Sequence, residues 1–462
     1  MKKLEIPMEK LTMVFKWLYL LHIFFAGNSV LYETPIEKCT SLLVVSIGMV
    51  VVIWRFLHIR EYIRYPFLKL YILFAAAFAL TMVVNWKYGW IPNLKILIWM
   101  TFQFAALYVF DLKRSKVDIA KEFKISLYII IGYMTVANLV SIIMLFTNYL
   151  YYRILDESTT FLIGVAYWGR LYGVHADPNY SAVVTVIAIM AAIYMFLCTN
   201  KRWIKCLMVI SVVIQFTAMT FSASRTGLVT MCVCAILFSF IYSIMKNVKI
   251  AKSAVIAVFA FLLVIGLNKV IVITYNEFVT ITNQVENDQQ DETQNETELV
   301  KIDRDEELSG DISNRRFDLW KNATQIFGKN PILGIGFGNN VAYAREELPD
   351  CYMLTNGFAI FDAFHNVIMD LLASQGIVGL VIFMVIIILS LKYLLSNIKR
   401  IEDEDKLKCI LLFVCCVGIV VSGMFVSHIL YVNNQTTVVF WLLWGYLMYY
   451  VTVGSVNNKE EI

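Results

Sequence analysis

Charge is scarce in this chain. Of 462 residues only 16% are Asp, Glu, Lys or Arg, while 59% are hydrophobic and the mean hydropathy is positive. Soluble globular domains carry about 25% charged residues, so that class is excluded. The nine cysteines and five histidines form neither a disulfide framework nor a Cys/His metal spacing. Cys198, Cys206, Cys232, Cys234, Cys409, Cys415 and Cys416 lie within or beside apolar runs and read as small buried hydrophobes. Only Cys39 and Cys351 fall where an oxidising exterior is expected. There is no HExxH, no DxD-like pair and no P-loop, which disfavours a metal-dependent nucleotide-sugar enzyme. The alternating pattern of an outer-membrane barrel is missing, as is any internal repeat of the transporter kind. The net charge of +4 is not gathered into a basic patch interleaved with aromatics, so it does not indicate nucleic-acid binding.

What is present is a series of apolar runs. A span needs roughly 20 mostly apolar residues, and about twelve such runs are counted. They lie near 12–31, 40–57, 68–84, 94–111, 125–147, 180–198, 203–221, 227–245, 253–275, 366–391, 408–430 and 437–453. Backbone groups in lipid must be satisfied internally, which predicts an all-α polytopic membrane protein. No small-residue cleavage site follows the first run, so it reads as a retained helix. Basic clusters at Lys2/Lys3/Lys10, Arg55/Arg60/Arg64, Lys113/Arg114/Lys116/Lys121/Lys124, Lys201/Arg202/Lys205, Lys246/Lys249/Lys252 and Lys392/Lys399/Arg400/Lys406/Lys408 fall on every second connection. The positive-inside rule makes these connections and both termini cytoplasmic.

The outer face then receives 148–179 and a long loop, 276–365, between the ninth and tenth spans. Residues 1–275 and 366–462 form the membrane domain on either side of that loop. Its first part, 284–307, is acidic and poor in aromatics and is expected to be a mobile, solvated linker. Its second part, 313–365, is expected to be ordered. Ser313 suits an N-cap, and Phe317, Trp320, Ala323 and Phe327 recur at helical spacing. Gly328 can close that helix, and Pro331 prevents its return. The stripe fits either the membrane interface or packing against neighbouring spans.

The candidate chemical groups gather on this outer side. Arg225, in Ser222-Ala-Ser-Arg-Thr-Gly227, sits at a tight turn between two spans, where an ionisable group is costly and usually functional. A guanidinium grips phosphate bidentately, and Ser224 adds a donor. Arg315 and Arg316 open the loop helix, and a second cation suits a diphosphate. Arg170 with Asp177-Pro-Asn179 makes a third candidate, although Asp177 or Asn179 can equally cap the next span. His365 stands at a helix N-terminus, whose dipole opposes positive charge and favours an imidazole able to accept a proton. His175 and His428 also fall on the outer side and remain spares; His22 and His58 have weaker contexts. The Gly334-x-Gly336-x-Gly338 run follows a helix and a proline, not a strand, and reads as a tight bend or a close backbone approach instead of a dinucleotide site.

In order and spacing these residues resemble the O-antigen ligase / polysaccharide polymerase superfamily. The resemblance is carried by Ser224-Arg-Thr-Gly227, Arg316-x3-Trp320 and Asn330-Pro-x-x-Gly-x-Gly-x-Gly-Asn339. It continues through His365-Asn366 and Ala373-Ser-Gln-Gly-Ile-Val-Gly379, with Arg170…Asp177-Pro-Asn179 as the earlier outer loop. It spans about 170–380. It implies a GT-C-like, metal-independent, inverting glycosyltransferase without cofactor. The enzyme would sit in the plasma membrane, acting on undecaprenyl-diphosphate-linked glycans at the extracytoplasmic face. Carried over, Arg225 and Arg316 would bind diphosphate and His365 would serve transfer. Arg170, Asp177, Asn179, Ser224, Arg315, Trp320, Gly336, Asn339 and Asn366 are the further substrate-binding candidates. A polymerase joining repeat units for a capsule, exopolysaccharide or O-antigen is the primary reading, with a chain-length regulator and a flippase as possible partners. A ligase to lipid A core is the runner-up. A lipid-linked oligosaccharide flippase is the rival of another class; it would need polar residues through the spans, whereas these cations sit at the outer boundary.

Overall fold

The computed structural model describes residues 2–155, 160–289, 298–302, 315–356 and 360–460. Helices come first: α1 (Lys2–Ala26), α2 (Pro35–Leu57), α3 (Leu68–Val84), α4 (Trp90–Phe102, continued by a π turn to Tyr108) and α5 (Lys116–Phe146). A small antiparallel sheet follows, β1 (Leu150–Ile154), β2 (Thr160–Ala166) and β3 (Arg170–Gly173), in the order β1-β2-β3. Then come α6 (Pro178–Cys198), α7 (Arg202–Phe221), α8 (Arg225–Met245) and α9 (Ile250–Gln289). The remainder is α10 (Arg316–Lys329), α11 (Asn340–Glu347), α12 (Val367–Asn397), α13 (Asp403–Ser422) and α14 (Gln435–Glu460).

Every expected apolar run falls on a helix, and eight of these helices are long and apolar enough to cross a membrane among the described residues: α2, α5 to α9, α12 and α14. The protein is therefore an all-α polytopic membrane protein apart from the sheet, which the apolar periodicity did not reveal. Some boundaries differ from expectation: the run at 12–31 is helical only to Ala26. The run at 408–430 is helical only to Ser422; Val426 to Tyr431 are buried in a non-helical turn. Its Val426, Ile429, Leu430 and Tyr431 side chains are surrounded by protein, a condition that composition cannot distinguish from lipid.

Two compact units result, one of residues 1–19, 41–122 and 311–462 and the other of 20–40 and 123–310. Each has a central helix. In the second unit it is α6, whose Ala, Val and Ile side chains are buried on all sides. Close packing, not water exclusion, drives helix association in lipid, and small residues permit it. At Gly227 of α8 an added Cβ would come 2.6 Å from that of Ala182. In the first unit α14 is central, with Trp441 fully enclosed by the rings of Tyr71, Phe104 and Tyr108. There the buried carboxylate of Glu122 accepts from Lys16 Nζ (3.0 Å) and Tyr446 Oη (3.0 Å) and also pairs with Arg114. The charges offset one another where none alone would be tolerated.

Part of the stretch expected to be mobile is held. Residues 284–289 continue α9, and 298–302 run back along it, while 290–297 and 303–307 lie outside the described residues, as does Ser313. Asn276 and Asn283, two turns apart on α9, each donate and accept through their amides, Asn276 with Ile302 and Asn283 with Leu299, at 2.9–3.1 Å. In α10 the buried face is Leu319, Asn322, Ala323 and Ile326. Phe317, expected on the apolar stripe, is exposed instead. The helix also passes through Gly328 to Lys329 before Pro331 stops it.

The glycine run decides the architecture of the first unit. α12 is broken at Gly376, whose φ of 58° and ψ of −154° are not helical. That point is roughly 14 Å along the helix from its start, so the freed peptide groups would face lipid without partners. Residues 331–336 supply them: Ile377 N–H donates to Pro331 O (2.8 Å) and Val378 N–H to Ile332 O (3.2 Å). In return Ala373 O and Ser374 O accept from Ile335 N–H and Gly336 N–H, both at 2.9 Å. Thr81 of α3 donates to Leu333 O, and Asn85, the residue that follows α3, donates to Gly334 O. The glycine run thus makes the close backbone approach expected of it, as an inserted segment.

An added Cβ would come 2.5 Å from a backbone carbonyl oxygen at both Gly334 (Ala373 O) and Gly376 (Ile332 O), and both have positive φ. Gly334→Ala and Gly376→Ala are therefore expected to destabilise by at least about 1–3 kcal/mol, read as a drop of several degrees in the detergent-solubilised thermal midpoint. Gly328→Ala, where an added Cβ meets nothing within 4 Å, should stabilise by up to about 1 kcal/mol.

Candidate active site

The second unit holds the Arg170, Asp177 and Arg225 group. Pro178 is the first residue of α6 and Asp177 its N-cap, accepting from Asn179 N–H (2.6 Å) and Tyr180 N–H (3.4 Å). Asn179 Oδ1 accepts from Arg170 Nη2 (2.7 Å) and from Ser224 Oγ (3.1 Å). Arg170 Nε donates to Ser222 O (2.9 Å), and Ser224 caps α8 by accepting from Gly227 N–H (3.2 Å). Ala223, at a φ of 48°, turns the chain between them. Arg170, Asp177, Asn179 and Ser224, candidates for binding, thus form a brace that sets the first turn of α8. Arg225 occupies that turn, half-buried. A guanidinium at a helix N-terminus is chemically suited to an anion.

His175 is a structural residue. It is buried, its Nε2 lies 2.9 Å from Asn138 Oδ1, and burial pushes its pKa down to about 4.

The first unit holds the His365 group. Arg315, at a φ of 61°, pairs with Asp318 (2.9 Å) and lies over the Tyr352 ring, exposed to solvent. Arg316, the first residue of α10, is half-buried with its guanidinium 6.0 Å from the Phe425 ring. Trp320 Nε1 donates to Phe364 O (3.1 Å), tying α10 to the chain just before α12. His365 is half-buried at a φ of 52°, and its ring meets that of Phe361 edge-on at 5.9 Å. Asn366 caps α12, accepting from Ile368 N–H (2.9 Å) and Met369 N–H (3.3 Å). Asn339 is fully buried: its Nδ2 donates to Ile335 O and Asn85 O, and its Oδ1 accepts from Asn93. Gly336 is committed to Ser374. These three positions brace the site from within, leaving Arg316, Trp320 and His365 as the half-exposed chemical groups.

His428, the second spare, is buried with its Nε2 2.9 Å from Ser422 Oγ and from Ile419 O, and its pKa is also pushed down to about 4 by burial. Asp370 and Ser427, which meet the backbone at His365, were not anticipated. A lone carboxylate inside an apolar span was a readable signal for the first; Ser427 lay in a run taken as membrane. Glu402, Glu404 and Asp405 lie close enough to share an ion, but Glu402 and Asp405 already pair with Lys116.

Residues 210–384 match the model of the O-antigen ligase family, which supports the O-antigen ligase / polysaccharide polymerase superfamily for this chain. The matched region includes Arg225, Arg316 and His365. No curated protein matches the chain.

A buried His with a folded pKa near 4 binds its proton less readily than in the unfolded chain, where the value is about 6.5. Stability is therefore full above about pH 6.5 and is lost as pH falls toward 4, by up to about 3 kcal/mol per residue. The thermal midpoint in detergent should fall between pH 7 and pH 5, and His175→Gln should fall less. A midpoint that is flat over that range would contradict a neutral buried His175.

Proposed function

We propose that this protein is a membrane glycosyltransferase that polymerises undecaprenyl-diphosphate-linked oligosaccharide repeat units into a surface polysaccharide. Its reaction takes place at the outer face of the plasma membrane. The observation that carries this reading is the family match, which spans Arg225, Arg316 and His365 together.

The chemistry asked of these residues is modest. The hydroxyl oxygen of the acceptor sugar attacks the anomeric carbon of the donor glycan, and the bond from that carbon to the lipid diphosphate breaks. His365 accepts the hydroxyl proton as general base. Arg225 and Arg316 stabilise the charge that builds on the departing diphosphate. Attack from the face opposite the leaving group inverts the anomeric centre. Arg316 is preferred to Arg315 because Arg315 is exposed and already paired with Asp318. Guanidinium charge does the work that a divalent cation does in nucleotide-sugar enzymes, so the reading calls for no metal and no cofactor.

The second reading is a ligase that attaches the finished glycan to lipid A core or another acceptor. It is favoured by the description of the matched family, O-antigen ligase. Donor chemistry is common to both readings, and only the acceptor differs.

Purified protein given lipid-linked repeats alone is expected to form a ladder of longer chains. Product only after core oligosaccharide is added would overturn polymerisation in favour of the ligase. His365→Ala is expected to lower turnover by about 10²–10⁴-fold, and Arg225→Ala or Arg316→Ala by about 10²–10³-fold. Normal turnover in His365→Ala would overturn the proposed chemistry. In cells, the inactive enzyme should accumulate single repeats outside the membrane; accumulation inside would point to a flippase.

A further inference from the structure

His365 lies at a φ of 52°, a left-handed conformation that is strained for a residue with a side chain. Such strain persists only where the surroundings over-determine it. Here hydrogen bonds hold both sides of the residue. Phe364 N–H donates to Asp370 Oδ1 (2.9 Å) and His365 N–H to Ser427 Oγ (3.0 Å). The Ser427 hydroxyl in turn hydrogen-bonds the Asp370 carboxylate. On the far side Val367 N–H donates to Gly423 O (2.8 Å) and Asn366 Nδ2 to Met424 O (3.1 Å).

We propose that Asp370 and Ser427 are positioning residues for His365: together they lock its backbone in the left-handed conformation that aims the imidazole. The inference rests on the reading of His365 as the proton acceptor. Asp370 and Ser427 are 3% and 1% exposed, and a buried carboxylate in the first turns of an apolar span is costly unless it serves something. Helix capping does not require it, because Asn366 already satisfies the first amides of α12. The donors that remain are the Phe364 N–H, which reaches Asp370 directly, and the His365 N–H, which reaches it through Ser427. Without the Ser427 hydroxyl the His365 amide loses its acceptor, and the chain can relax toward an extended conformation with the ring displaced.

The test uses the full-length protein in lipid nanodiscs with a lipid-linked repeat as substrate. Ser427→Ala and Asp370→Ala are expected to lower kcat about tenfold or more while leaving KM for the donor within about twofold. Ser427→Thr, which keeps the hydroxyl, and Asp370→Asn, which keeps an acceptor oxygen, should recover most of the loss. In a His365→Ala background the same substitutions should cost less than about twofold further, since no imidazole is left to place. Full kcat in Ser427→Ala overturns the proposal, and so does an equal fold-loss with and without His365. Full turnover in His365→Ala would instead overturn the functional reading. Positioning is then read separately from the rate at which diethylpyrocarbonate modifies His365, followed by mass spectrometry. A change of about threefold or more in Ser427→Ala supports the lock, and a smaller change overturns it.

Discussion

A peptide group in hydrocarbon has no water to turn to, so each must find a partner within the protein. The break in α12 at Gly376 makes that constraint specific. Once the helix is interrupted, the amides of Ile377 and Val378 and the carbonyls of Ala373 and Ser374 need partners at one depth and in one order. Residues 331–336 are those partners. The candidate groups of the first unit hang from this exchange: α10 leads into the inserted segment, and the broken α12 begins just after His365. Two glycines make the approach possible, because any side chain at 334 or 376 would run into the opposing backbone.

The polar residues of both units divide into those that hold and those that are offered. In the second unit Asp177, Asn179, Arg170 and Ser224 spend their hydrogen-bonding capacity on one another and on helix ends, and the first turn of α8 with Arg225 is what they fix. In the first unit Asn339, Asn366, Asp370 and Ser427 are buried and committed, while Arg316, Trp320 and His365 are left half-exposed. The pattern is the one a preorganised site would need, with half-exposed groups held by buried neighbours. It also explains why so many motif residues are polar in a chain with so little charge.

Much of this was legible in the chain itself. The apolar runs located the helices, the break after Ser222 located Arg225, and the Arg316-x3-Trp320 and His365-Asn366 motifs located the chemical candidates. Illegible were the parts that depend on what surrounds a residue. Val426, Ile429, Leu430 and Tyr431 are enclosed by protein, and composition reads such a run as membrane. Asn276 and Asn283 hold the chain at 298–302 against α9, although the surrounding acidic stretch has the composition of a free linker. Arg315 and Arg316 are chemically identical in the sequence, and only the Asp318 pairing and the difference in burial separate them.

The sequence by itself determined that this is a polytopic helical membrane protein and which few cations and histidines lie at or near the ends of its helices. Hydropathy period and motif spacing are local properties, and local properties survive in one dimension. Tertiary structure alone decided that the glycine run repairs a broken helix and that His175 and His428 are buried and structural. It alone decided that Phe364 N–H is held by a carboxylate six residues on and His365 N–H by a hydroxyl sixty-two residues on. Those are matters of which groups meet across long stretches of chain, and a buried hydrogen bond between distant residues leaves no period in the sequence that could announce it.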